Sequence, residues 1–134
     1  MLLNGPADFA GKNILIVEDE SIIAMEMAEA VGAAGGTVLG PVASVEAAME
    51  LVNGEERIDA AILDVRLQDG ISIEVAQALK RDGIPLIFVT GYDDWFMPAD
   101  LEDVSVYQKP QDPEHVVRML YEETQDSDDG TSAG

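Results

Sequence analysis

Short, nearly continuous apolar runs alternate along the chain with segments whose apolar residues recur at helical spacing. Asn13–Val17 (NILIV), Ala60–Leu63 (AAIL) and Pro85–Val89 (PLIFV) are runs of the first kind, suited to parallel strands covered on both faces. Thr37–Val42 (TVLGPV) is a weaker strand, and its Gly40 and Pro41 suggest a bulge or an edge position. Val104–Gln108 (VSVYQ) is a fifth strand candidate. Between these runs, Ile23, Met27, Ala30, Val31 and Ala34 form a helical stripe that Gly35-Gly36 stops. A second stripe, Val45, Ala48, Met49 and Val52, follows Ser44 as a good N-cap, with Glu46 in the first turn. Ile71, Val75, Ala78 and Leu79 make the third, and Val116, Val117, Leu120 and Tyr121 the last. The pattern fails between Tyr92 and Asp103, where YDDWFMPADLED has a central Pro and many acids, so one short or irregular helix is the most it supports. Strand and helix in regular alternation predict an α/β fold, an open doubly wound parallel sheet with helices on both faces.

The ends of the chain have a different composition. Residues 1–11 mix Gly, Pro and polar groups and read as an N-terminal arm; residues 12–124 form the domain. Residues 125–134 (QDSDDGTSAG) are acidic and small and read as a disordered tail. The balance of 27 acids against 7 bases leaves a net charge of −20. Such a surface repels phosphates and anionic headgroups, which argues against nucleic acid and membrane partners. Absence of Cys removes thiol nucleophiles and thiolate zinc sites, and the single His115 rules out a multi-histidine metal site. No run approaches the ~20 apolar residues of a membrane span, so the expected setting is cytoplasmic.

In open α/β sheets ligands bind beyond the carboxyl ends of the strands. Here strand one ends in Glu18-Asp19-Glu20, strand three in Asp64, strand four in Thr90-Gly91 and strand five in Lys109-Pro110. Taken singly, Asp19, Glu20 or Thr90 is equally well read as the cap of the segment that follows, and Lys109 as a solvated base. Together they place Glu18, Asp19 and Asp64 near one another. Three carboxylates within ~4–6 Å repel unless a cation joins them. All-oxygen ligation suits a small hard ion such as Mg²⁺. Lys109 adds a positive point charge, Thr90 a hydroxyl and Gly91 a close backbone approach. The set fits a phosphoryl group carried on a carboxylate.

Glu18-Asp19, Asp64, Thr90 and Lys109-Pro110, in that order, resemble the receiver domain of two-component response regulators over about residues 12–124. The resemblance implies a flavodoxin-like sheet of order 2-1-3-4-5 and a single-domain regulator. Asp64 would be the phosphoacceptor, charged by a histidine kinase or a histidine phosphotransfer protein. Mg²⁺ would be held by Glu18 (mainly through water), Asp19, Asp64 and the backbone carbonyl of Arg66. Lys109 and Thr90 would meet the phosphoryl group, with backbone contacts from Val65 and Gly91. Asp69-Gly70 matches the turn after the acceptor strand, and the Lys109-Pro110 bond is expected to be cis. Phe88-Val89-Thr90-Gly91-Tyr92 further resembles stand-alone receivers with a Phe-Ala-Thr-Gly motif, Val89 replacing the Ala. Val106 stands where receivers carry the aromatic switch residue, and Tyr107 should face the other way. The expected switch is therefore an ordering of residues 92–103 that presents or buries Trp95 and Phe96. Arg66 and Tyr92 would flank the water that removes the phosphoryl group.

With one helix and a tail after Lys109-Pro110, output is expected through an unknown downstream protein or by phosphoryl shuttling, and the chain is not expected to be an enzyme. The alternative is a Mg²⁺-dependent phosphohydrolase with an aspartyl nucleophile, as in the haloacid-dehalogenase class. That class places its nucleophile on the first strand and its acidic pair last, the reverse of the order here. A third reading is a receiver-like adaptor that is never phosphorylated, against which the intact Asp64, Thr90 and Lys109 argue.

Overall fold

The computed structural model describes residues 6–91 and 97–133, with side chains as far as Gln125. Five strands form one parallel sheet: β1 (Asn13–Val17), β2 (Thr37–Val42), β3 (Ala60–Leu63), β4 (Leu86–Thr90) and β5 (Ser105–Gln108). Their order across the sheet is β2-β1-β3-β4-β5, the doubly wound arrangement expected. Four helices connect or follow them: α1 (Ser21–Ala33), α2 (Val45–Val52), α3 (Ile73–Arg81) and α4 (Pro113–Ala133).

Strand alternation sorts the apolar runs onto two faces. Ile14, Ile16, Ala60, Ile62, Ile87 and Val89 pack with Met27 and Val31 of α1 and Val116, Val117 and Leu120 of α4. Leu15, Val17, Ala61, Leu63, Leu86 and Phe88 face Ala48 of α2 and Val75, Ala76 and Leu79 of α3. Every residue of β3 and β4 is buried, which is why these strands read as continuous rather than alternating. β2 is the edge strand, and its pairing with β1 slips between Leu15 and Val17. The slip occurs beside Gly40, which has φ +95° and stands where a Cβ would come within 2.8 Å of the Val42 nitrogen and 3.0 Å of the Ile16 oxygen. No other residue fits there. The Lys109-Pro110 bond is cis, as is Gly40-Pro41.

Three segments depart from the pattern. Ile71 falls outside the third helix: Arg66–Leu67 and Gly70–Ile71 pair as a small antiparallel hairpin, and α3 begins after Ser72. Gly70, at φ +150°, makes that reversal. Asp69 at the hairpin tip accepts hydrogen bonds from the amides of Val45 and Glu46 at 2.7 and 3.1 Å, which lowers its pKa and docks the hairpin on the start of α2. The arm is partly core: Phe9 is buried, its amide donates to the Ala34 carbonyl at 2.7 Å, and its ring meets Tyr121 edge-on at 5.6 Å. α4 continues through Ala133, over residues whose composition reads as a disordered tail. A helix already nucleated by packed turns adds one hydrogen bond for each further residue it fixes.

The irregular fourth helix is a 3₁₀ turn, Ala99–Leu101. Leu101 is fully buried, Gln77 Nε2 donates to Asp100, and Lys80 Nζ donates to the Asp100 carbonyl at 2.6 Å and to Asp103. The described part of the segment expected to order on signalling is therefore already pinned to α3. Tyr92, Trp95 and Phe96 lie outside the described residues. We expect Leu101→Ala to cost ~2–5 kcal/mol in chemical denaturation, as buried leucine truncations do. A cost under about 0.5 kcal/mol, the scale of a neutral surface change, would mean that this turn is not part of the core.

Candidate functional site

The strand register builds the site. Val17 of β1 is level with Leu63 of β3, which is level with Phe88 of β4, and Thr90 is level with Gln108 of β5. One step beyond these pairs the chain reaches Glu18, Asp64 and Lys109, so all three emerge side by side. Backbone hydrogen bonds fix them there. Glu18 N donates to the Val42 carbonyl at 2.8 Å, Asp64 N to the Val17 carbonyl at 2.8 Å, and Lys109 N to the Thr90 carbonyl at 2.7 Å.

Lys109 is the centre. Its Nζ lies 3.0 Å from Glu18 Oε1, 2.8 Å from Glu20 Oε1 and 2.9 Å from Asp64 Oδ2. Burial alone would lower the pKa of this ammonium. The hydrogen bonds it donates to Glu20, Asp64 and Glu18 outweigh that, and hold it above its ordinary range. Glu18 is the strained partner. Burial, with repulsion from Asp64, pushes its carboxyl from the ordinary 4.5 up to about 7, against the Glu20 amide and Lys109, which favour the anion. The Glu20 amide donates to Glu18 Oε2 at 2.9 Å.

Asp64 Oδ1 is buried and accepts no hydrogen bond from the described residues, an arrangement that costs free energy unless something else occupies the oxygen. Ligand oxygens of Glu18, Asp19 and Asp64 all lie within 4.8 Å of one another. An orphaned carboxylate oxygen among further carboxylate oxygens fits a hard divalent cation such as Mg²⁺. Arg66, whose carbonyl is the further expected ligand, opens the hairpin two residues past Asp64 with its side chain exposed. Thr90 is the last residue of β4 and fully buried; Val65 is likewise buried. A Cβ at Gly91 would meet nothing within 4 Å, so its backbone borders open space.

Two residues without an expected role in the cluster hold it together. Ser72, fully buried, donates its hydroxyl to the Asp64 carbonyl at 2.6 Å and its amide to the Val65 carbonyl at 2.8 Å. It occupies the N-cap position of α3 but makes no side-chain cap hydrogen bond; its hydroxyl holds the Asp64 backbone instead. Glu20 occupies the N-cap position of α1 yet makes no side-chain cap hydrogen bond; its carboxylate goes to Lys109. At the switch position, Val106 is exposed, whereas Tyr107 packs on the α1 and α4 face, as alternation requires.

A carboxylate at the end of the central strand, held between an ammonium and an acidic cluster on a doubly wound sheet, is the arrangement expected of a receiver-type signalling domain. The family model "Response regulator receiver domain" matches residues 14–121, and the chain belongs to that family. It is 33% identical over 117 residues to the phyllosphere-induced regulator PhyR of Methylorubrum extorquens, covering 85% of this chain and 43% of that protein. The chain spans under half the length of the curated relatives it matches. Among solved structures it is similar to SdrG from Sphingomonas melonis Fr1, with 38% identity, TM-score 0.67 and coverage of 81% of this chain and 95% of that one. The fold also matches PhyR from Brucella abortus, with TM-score 0.79, 23% identity and coverage of 95% and 53%. Among the described residues no helix is long and apolar enough to cross a membrane.

The electrostatics make a pH-dependent expectation. A carboxyl whose folded pKa is raised favours the fold most fully below its unfolded value, and that contribution is lost as pH rises through the folded value. With chelator present, wild type should therefore lose stability relative to Glu18→Gln between about pH 4.5 and pH 7, the interval between the ordinary and the raised value. Thermal melts of the two proteins at several pH values read this directly. Parallel profiles would show that folding does not shift the titration of Glu18.

Proposed function

We propose that the chain is a response-regulator receiver domain in which Asp64 accepts a phosphoryl group from a histidine kinase or a histidine phosphotransfer protein. The observation that carries this reading is the Asp64 carboxylate, with Oδ2 on the Lys109 ammonium and Oδ1 buried, without a partner among the described residues, beside Glu18 and Asp19. In the transfer an Asp64 oxygen forms the new O–P bond as the donor's N–P bond breaks, and the departing imidazole nitrogen takes up a proton. Glu18, Asp19 and Asp64, with the Arg66 carbonyl, would hold Mg²⁺. When bound, Mg²⁺ neutralises charge on the phosphoryl oxygens. Lys109 offers its N–H groups to a phosphoryl oxygen, and Thr90 its hydroxyl; Val65 and Gly91 supply backbone contacts. Output passes to a downstream protein, or the phosphoryl group is shuttled onward.

Acetyl phosphate with Mg²⁺ should add one phosphoryl group to the intact protein, and Asp64→Asn should abolish the addition. Unchanged labelling of that variant would overturn the assignment. Release of many equivalents of phosphate per protein would favour the phosphohydrolase. No labelling of wild type would favour an adaptor that is never phosphorylated.

Without any phosphodonor, Mg²⁺ should raise the melting temperature by binding the folded state alone, and Asp19→Asn should remove most of that rise. An equal rise in the variant would mean that the ion acts on the acidic surface at large.

A further inference from the structure

The Lys109 ammonium has three N–H groups, and in the resting protein all three are spent, one each on Glu18, Glu20 and Asp64. An arriving phosphoryl oxygen finds no N–H to accept until one of these partners lets go. The three are not equal. Glu18 is buried and also tied to the Glu20 amide, and Asp64 is the acceptor itself. The Glu20 side chain is 57% exposed, so its carboxylate recovers water at once when released. Phosphorylation also turns the Asp64 monoanion into an acyl phosphate of higher negative charge, which repels a carboxylate sharing its ammonium.

Resting on the function proposed above, we infer that Glu20 is a positioning residue: it occupies Lys109 in the resting state and is expelled when a phosphoryl group reaches Asp64. The local backbone permits this movement. Glu20 sits at φ −87°, ψ 110° ahead of α1 and caps nothing with its side chain, so its carboxylate can swing outward without unwinding the helix. Its amide stays on Glu18 Oε2, and the metal-side carboxylates keep their places. Glu20 thereby sets a threshold: the resting site is stabilised against adventitious anions, and phosphoryl binding is weakened by the strength of one partly exposed ion pair.

The test uses beryllofluoride as the phosphoryl mimic on the full chain at saturating Mg²⁺. Glu20→Gln should bind it about two- to five-fold more tightly than wild type, the range expected for an ion pair of this exposure. Labelling by acetyl phosphate should quicken by a similar factor. Affinity for Mg²⁺ alone should not rise, because the removed charge is negative; this opposite response separates positioning from a general structural effect. Glu20→Ser, which removes the same contact and supplies a better helix cap, should give the same gain and guards against a folding artefact. Glu26→Gln, an equal charge change at an exposed site on α1, should leave beryllofluoride affinity unchanged at moderate salt. Unaltered or weaker beryllofluoride binding in both Glu20 variants overturns the inference, as does an equal gain from Glu26→Gln. Failure of wild type to bind beryllofluoride at all would instead overturn the phosphoacceptor reading itself.

Discussion

The fold converges on a single ammonium group. Lys109 joins carboxylates that reach it from two neighbouring strands, and the buried pair Glu18 and Asp64 would face each other uncompensated without it. Burial, with the Asp64 carboxylate beside it, raises the cost of ionising Glu18, whose carboxyl is pushed up to about 7 even with Lys109 in place. The ammonium reaches the cluster because the cross-sheet register ends β1, β3 and β5 one residue short of the charged positions. A slip of one residue in β5 would turn Lys109 to the opposite face. The site thus depends on sheet pairing before it depends on side-chain chemistry.

Bases are scarce in this chain, with 7 against 27 acids, and their placement divides by burial. Arg57 pairs with Asp59, Lys80 with Asp103 and Arg118 with Glu122 at partly or largely exposed positions, where such pairs contribute little to stability. Lys109 is far more buried than these, and its electrostatics count correspondingly more. The hairpin of residues 66–71 links this cluster to the opposite face of the sheet: Ser72 grips the Asp64 carbonyl at one end, and Asp69 grips the start of α2 at the other. A shift of the backbone at Asp64 therefore has a mechanical route to α2.

How far the sequence revealed this depends on range. The strands were legible because their runs are continuous, and the helical stripes because burial follows period. Glu18, Asp64 and Lys109 were legible as a set because parallel strands must end on one side. Ile71 was misassigned to a helix because its spacing fits the stripe of α3, whereas Gly70 and the pairing with Arg66 take precedence. Ser72 and Glu20 both occupy positions where a cap is the ordinary local role. Their side chains went to partners 8 and 89 residues away, a choice no local pattern records. By composition the arm reads only as a lead-in to the domain, since a lone Phe among Gly, Pro and Ala carries no periodicity.

That Phe has a kinetic consequence. Phe9 packs with the end of α1 and against Tyr121 in α4, so a residue that precedes β1 must wait for the helix that follows β5. Until α4 is made, the face of the sheet formed by Ile14, Ile16 and Ile62 has only α1 to cover it. Contacts of such long sequence separation slow folding, and an apolar sheet face left open in the interval is a surface for aggregation. With 21 acids against 6 bases through Asp112, the chain meets that interval with strong mutual repulsion between copies. The acidic surface then protects the newborn chain as well as the finished one.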